Sequence, residues 1–552
     1  MDILTIENAS DVTNNEDIVL TSVLEVITGE LVTNDRITLS CQFAPIRKTA
    51  QVAPVGGTIN GNVTVEQCFP AHRAFRLVNS SVTTSTPIRQ NWQENPAGYL
   101  ENPRPGYGTH ITGVSPGTAD ATPVQDGYNG FDYNPSGNSS MFTFDNLGRV
   151  WSAVAGTNLN LAAGFPYRLL IRWDRSIDIT NNGTTPTDTK LSTTGTLLTG
   201  DALDVAPLNT SGGDDGRVNI FGNPYHAQVD MDLVLKGSVN LEENQYYVWD
   251  PTLGTRGAYV TVSRISGNWS NNNLSSDANQ YLQPMQSAFV MTRDGFGSAS
   301  LNFRESDKAV GETQTAVFSQ SEQVSIQMGL YPESAFANNQ KAYDGLKIVF
   351  GEEFAEGYED DFLKMQNQDE NMARINEGKI LSLELRPFPK VEETLPLYFD
   401  TYRHSNYILQ FIIAEELSSK VFIQDNYLEE RSEVTVSDNT YSFAIDSSIP
   451  ESEASDRFSL VFEPVSLSTP EQSLINLSLY PNPTKGNFSI SGIDSGEDTE
   501  VKIYNLIGQQ VYTAKSSGQS TLEITDFNAS SGVYLVKLKT NQGEKTFKLI
   551  KD

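Results

Sequence analysis

Histidine is nearly missing from this chain. Four residues, His72, His110, His226 and His404, serve 552 positions. None stands at ligand spacing from another, and no HExxH or cysteine cluster accompanies them, so no zinc site is written in the sequence. No GxSxG turn marks a serine hydrolase. No Walker or dinucleotide glycine pattern marks a phosphate cradle. His226 follows Asn223-Pro224-Tyr225 and reads as a turn or surface residue rather than a base. Basic residues are scarce: 38 Lys and Arg face 69 Asp and Glu, for a net charge of −31. That excludes a nucleic-acid partner, which needs a basic face, and docking on an anionic membrane surface.

No apolar run approaches the roughly 18 residues of a membrane helix. The opening MDILTIENASDV has neither the basic nor the apolar region of a signal peptide, so the expectation is a mature form or a fragment. Runs at helical spacing are scarce, and Asp360–Arg374 is the only convincing helix candidate. There are two cysteines, Cys41 and Cys68. A bridge between them would add on the order of 3 kcal/mol; a pair of buried free thiols is the favoured expectation.

What is present points to strands. Thr, Ser, Asn and Gly are abundant, hydrophobic residues make up 38%, and short apolar runs sit between turn residues. The expected fold class is all-β: tandem sandwich or jelly-roll-like domains after a short β-solenoid-like start, with a small immunoglobulin-like C-terminal sandwich. Residues 1–60 carry an echo. Val12-Thr13-Asn14-Asn15 before Ile18-Val19-Leu20 returns 20 residues later as Val32-Thr33-Asn34-Asp35 before Ile37-Thr38-Leu39. A strand–turn–strand unit at that period suggests rungs of a parallel solenoid; further rungs are expected before Met1.

Residues 61–310 form a large β-rich region and 311–465 a seven-stranded sandwich of jelly-roll type. Residues 466–475 are a polar linker with no core pattern, suited to proteolysis, and 476–552 a separate module. Glu352, Glu353, Glu356, Glu359, Asp360 and Asp361 crowd together and read as a solvated acidic face.

No cofactor is expected. If one exists, calcium suits the oxygen-rich loops Asp126–Asp132 and Asp214–Gly216, although ordinary turns explain both equally. Paired carboxylates for glycoside hydrolysis depend on a spatial separation of roughly 5–10 Å, so sequence spacing leaves that chemistry open. Trp92, Tyr99 and Tyr107 surround a Pro/Gly-rich loop, where they either stack on sugars or pack down. Packing is the favoured reading.

The last 77 residues are different text. Stretches of alternating apolar and polar residues, separated by Asn482-Pro483, Lys485-Gly486-Asn487, Ile507-Gly508 and Asn541-Gln542-Gly543, spell a small antiparallel sandwich. Eight Lys balance eight acids there, so nearly all the negative excess lies in 1–475. Four blocks, Tyr480-Pro481-Asn482-Pro483 with Gly486 and Phe488, Val501–Gly508, Ser531–Lys537 and Lys548–Lys551, resemble the type A C-terminal sorting domain of type IX secretion cargo in Bacteroidota. The resemblance implies export to the cell outer surface, an outer-membrane translocon pore and its PorV-like shuttle barrel as partners, and attachment to surface lipopolysaccharide. It also implies docking through Tyr480, Pro481, Asn482, Pro483, Gly486, Tyr504, Gly508, Gly532, Tyr534 and Lys548, by strand edge and loop contact. The region 61–310, through Asn62–Glu66, Phe221–Tyr225, Tyr247–Pro251 and Tyr281–Pro284, resembles flavobacterial surface proteins of unassigned activity.

The body is expected to be non-enzymatic, an adhesin or a gliding or display component with an unknown extracellular ligand. The alternative is an exported polysaccharide-acting enzyme or a carbohydrate-binding protein.

Overall fold

The first strands pair in parallel, each with the one about 20 residues further on: Ile3 with Val23, Val12 with Leu31, and Ile18 with Ile37. A third layer adds Val23 with Gln51, Glu30 with Thr58, and Thr38 with Thr64. Three stacks of short parallel strands therefore wrap one interior, where Leu20, Leu24, Leu31, Leu39, Val52 and Val65 are buried. The echoed asparagines hold the corners. Asn34, at a positive φ of 48°, donates Nδ2–H to Asn14 O at 2.8 Å.

The computed structural model describes residues 1–44, 48–113, 128–134, 136–181, 183–311, 323–390, 392–414, 417, 419–437, 439–464, 477–493, 498–540 and 543–552. They fall into two compact units, Met1–Pro464 and Val465–Asp552. Among the described residues no helix is long and apolar enough to cross a membrane.

The strand Val63–Phe69 joins the solenoid to the antiparallel sheets of the body. It runs parallel to Ile37–Leu39 on one side and antiparallel to Thr189–Leu197 on the other. The first pairing corrects the free-thiol expectation. Its register carries Cys41 to the neighbourhood of Cys68, with Cα atoms 5.7 Å apart, and the two form a disulfide. Nothing in their separation of 27 residues reveals this closeness.

Next come a four-stranded sheet (Ala74–Val78, Tyr167–Ile171, Met141–Asp145, Val150–Ala153) and a five-stranded sheet (Val218–Gly222, Ser287–Met291, Gln245–Asp250, Ala258–Ile265, Asn268–Asn271). Among the described residues, those from Ser325–Pro332 to Phe458–Pro464 form a sheet of eleven strands. Its strands share one core, including Met328, Leu346, Met372, Leu397, Phe411 and Phe458.

Asp360–Arg374 is not a helix. It holds the short strand Phe362–Leu363 and the start of Asn371–Asn376. Between them the Asn371 side chain bonds the Asn367 backbone, Oδ1 accepting from Asn367 N at 2.7 Å and Nδ2 donating to Asn367 O at 3.1 Å, and Asn367 Nδ2 donates to Glu370 O at 3.3 Å. Such side chains compete with helical backbone bonds, and cross-strand pairing takes Phe362 and Arg374 instead. Glu352, Glu353, Glu356, Glu359 and Asp360 are exposed; Asp361 is half-buried.

The second unit is a sandwich of a three-stranded sheet (Ser478–Tyr480, Phe488–Ser491, Thr521–Ile524) and a four-stranded sheet (Gln510–Ser517, Asp498–Asn505, Gly532–Thr540, Gly543–Lys551). Strict alternation in Gly532–Thr540 places Tyr534, Val536 and Leu538 inside and Leu535, Lys537 and Lys539 outside. Phe488, Ile490, Val501, Ile503, Ile524 and Leu549 complete this core.

Candidate functional site

The register of the four-stranded sheet decides where the four C-terminal blocks lie. Tyr504 faces Leu535, and Leu535 faces Lys548. Gly532 faces Lys551, which also bridges to Thr484. The end of Asp498–Asn505, the start of Gly532–Thr540 and the end of Gly543–Lys551 are therefore one end of the sheet, and the tyrosine–proline loop joins them there.

That loop is tied down by side chains the backbone needs. Asn482 donates Nδ2–H to Lys548 O at 2.6 Å and accepts from Ile550 N at 2.8 Å. Thr484 N donates to Ile550 O at 2.8 Å, and Thr484 O accepts from Asp552 N at 2.9 Å. The last strand is an edge strand, and these bonds cover the end of its open side. Pro481 and Pro483 both follow cis peptide bonds. Gly486 has φ +130°, a region that favours glycine, and its carbonyl accepts from Phe527 N at 2.8 Å.

The ten residues expected to dock thus divide by exposure. Tyr480 is 52% exposed, and Gly532 and Lys548 are also open. Gly508 sits in the exposed turn closed by Gly508 N donating to Asn505 O at 3.0 Å. Tyr504 is half-buried on the outward face. Tyr534 is buried; its ring packs edge-on to Phe527 at 5.2 Å and its hydroxyl donates to Ser530 O at 2.7 Å. Its role is to hold the sandwich.

Sequence reasoning missed two residues at the same end. Leu506 and Ile507, at the hairpin tip beside Gly508, are 71% and 87% exposed. The signal was available: two branched apolar residues inside a turn have no core to enter. Docking by strand edge was expected, but the strand was not named; among the described residues the open edge lies opposite the loop. Gln510–Ser517 is the outermost strand on the side away from the loop, and its side chains are largely exposed.

In the body, polar clusters are mostly closed. Glu66 accepts from Tyr107 Oη and Lys190 Nζ at 2.9 Å and from Ser40 Oγ at 2.7 Å. Although burial opposes ionisation, these donors hold its carboxyl below the usual range. Arg175 grips Asp132 through two bonds of 2.8 Å. Trp92 is fully buried with Nε1 donating to Thr193 Oγ1, Tyr99 packs on Tyr133 at 5.3 Å, and Arg104 lies 3.3 Å over Tyr107. That loop is packed down.

His226 follows a turn but is buried, not at the surface. Its Nδ1 lies 2.7 Å from Ser81 Oγ, and burial lowers its pKa to about 3. The His404 ring stands 3.9 Å from Glu370, with Tyr407 Oη donating to the same carboxylate at 2.9 Å. Burial raises Glu94 to about 7 against the opposing charge of Arg104, and raises Asp361 to about 7. Of the two acidic loops, Asp126 and Gly127 lie outside the described residues, and Asp214 is held by Arg217 and Lys379.

Residues 478–552 match the family described as "Secretion system C-terminal sorting domain". The chain carries a type IX sorting domain. As cargo it engages the type IX machinery and is exported to the cell surface or extracellular space. This cargo is 33% identical over 90 residues to an ulvan lyase of Nonlabens ulvanivorans, a match covering 16% of each chain. The matched stretch is thus about a sixth of that relative's length, the size of one small domain. Solved structures were matched as well. The FN1–FN3 domains of chicken CNTN1 are 8% identical over 42% of the cargo and 91% of that chain, with a TM-score of 0.12. Dimeric latent PorU from Porphyromonas gingivalis is 8% identical over 68% and 36%, also with a TM-score of 0.12. At those scores neither likeness bears on the fold.

Proposed function

We propose that this cargo is a non-enzymatic surface protein, an adhesin or a gliding or display component. The closed end of its sorting sandwich is gripped by a PorV-like shuttle barrel beside the translocon pore, and its body is then held at the surface through lipopolysaccharide. The observation that carries the reading is the gathering of all four blocks at one end of one sheet. There the anchored Asn482 loop stands with the solvent-facing Tyr480, Leu506 and Ile507. Exposed apolar side chains on a small charge-balanced module suit a docking face. The experiment is co-purification of the shuttle barrel with the full chain and with Ile507→Asp. Loss of the barrel with Ile507→Asp, while Lys537→Ala still captures it, supports docking at this end. Equal capture by both variants removes it.

A second reading rests on one observation, the ulvan lyase relative. Under it the body cleaves a polysaccharide. Release of new reducing ends from ulvan by the purified chain would favour that reading over the adhesin.

A further inference from the structure

The four-stranded sheet of the body has two different faces. Leu77 and Phe142 both pair with Arg168, Phe144 pairs with Trp151, and Phe75 lies two residues from Leu77. Paired and alternate residues share a face, so Phe75, Leu77, Phe142, Phe144, Trp151 and Arg168 stand on one side. The other side, with Met141 and Leu169, fills a core of its own. The aromatic side meets the five-stranded sheet. In the middle of the contact Leu77, Phe289 and Tyr247 are closed to water. Toward its margin Phe75, Phe142, Trp151, Arg168 and Tyr259 are only half-buried, so this edge of the contact is reached by solvent.

Arg168 is the unusual group there. Its guanidinium lies 4.3 Å from the Phe75 ring centre, 5.7 Å from Trp151 and 5.9 Å from Trp249. Trp249 is fixed, with Nε1 donating to Phe75 O at 2.8 Å and its ring packed on Tyr259 at 4.8 Å. Among the buried arginines, Arg175, Arg217, Arg374, Arg386 and Arg457 each hold a carboxylate, while Arg172 holds none among the described residues. Arg168 holds none among the described residues. Apart from the Tyr259 phenol, the group acting on its charge is a second cation, Arg256. In a chain of net charge −31, acids were abundant to neutralise it. A partly dried guanidinium framed by aromatic faces retains its donor fork for an outside anion, and the rings offer flat apolar walls beside it.

We infer that this aromatic margin binds an anionic saccharide: Arg168 pairs with a carboxylate or sulfate substituent while a sugar ring lies against Trp151 and Phe75. The site gives a ligand class to the display role proposed above and rests on that reading only for its biological setting. Binding is measured on the purified full chain, so a failed docking experiment leaves it standing, and failed binding leaves the export route untouched.

The test is titration calorimetry of the full chain with oligogalacturonate, dextran sulfate, neutral dextran and poly-glutamate. At least one of the first two binds, and Arg168→Met weakens that binding about tenfold or more with the near-ultraviolet circular dichroism unchanged. Binding of oligogalacturonate alone identifies a uronate, of dextran sulfate alone a sulfate ester, and of both an anion of either kind. If Arg168→Met does not fold, Trp151→Ala at the rim is read instead, with a similar loss expected. The inference is overturned if neither anionic polymer binds, if dextran or poly-glutamate binds equally well, or if the folded variant keeps full affinity.

Discussion

In the body, the ion pairs Arg175–Asp132, Lys364–Asp344, Arg374–Glu384 and Arg457–Asp425 lie out of water, every side chain 5% exposed or less. In the sorting sandwich, Lys502 and Lys515 meet Glu500 at the surface, and among the described residues the buried polar side chains are uncharged, as at Thr484 and Thr499. The two units thus specify themselves differently. The sandwich relies on period-two alternation, which fixes register because a one-residue slip would turn its core outward. The body joins several sheets, and its buried charges demand particular partners. Such pairs add little net stability, but a lone survivor is costly.

Variants can break this contrast. Asp425→Ala would have the largest effect. It strands Arg457, whose Nε and Nη2 it holds at 3.0 and 2.7 Å, and it is expected to cost the body about 3–5 kcal/mol in urea denaturation. Ile503→Ala empties a fully buried site in the sandwich. A loss of about 3 kcal/mol is expected, seen as faster amide exchange in its strands with the body's strands unchanged. Cys41→Ser with Cys68→Ser should lower body stability by about 3 kcal/mol and leave sandwich exchange unaltered, since both cysteines lie in the body.

The smallest effect is a pH dependence. Burial raises Asp361 to about 7, above an unfolded value of about 3.9. The folded state therefore prefers the neutral acid. Its contribution is complete below about pH 4 and is lost as pH rises through 7. Asp361→Asn should stabilise the body by about 1–2 kcal/mol at pH 8, a reduced figure because the group is not fully buried, and by nothing at pH 4. A constant difference across that range would deny the buried-acid account.

The same contrast explains what the sequence disclosed. Alternation along Gly532–Thr540 and the glycines at 486 and 508 are local signals, so the sandwich and its turns could be read directly. The solenoid was readable because Asn14 and Asn34 repeat at matching corners. The disulfide was hidden because it depends on Val63–Phe69 returning beside Ile37–Leu39. The false helix at 360–374 arose because Asn367 and Asn371 act through side-chain bonds that apolar spacing does not register. Arg168 was invisible for a similar reason: no spacing in the sequence shows which charged residue will hold no carboxylate among the described residues.

The central claim is that residues 476–552 carry the address by which the chain leaves the cell. Its most direct test is the location of a chain truncated after residue 475, expressed with a signal peptide in a cell with a working type IX system. The truncated chain is expected to fold and remain in the periplasm, absent from the surface and the medium. Surface display equal to that of the full chain would contradict the claim.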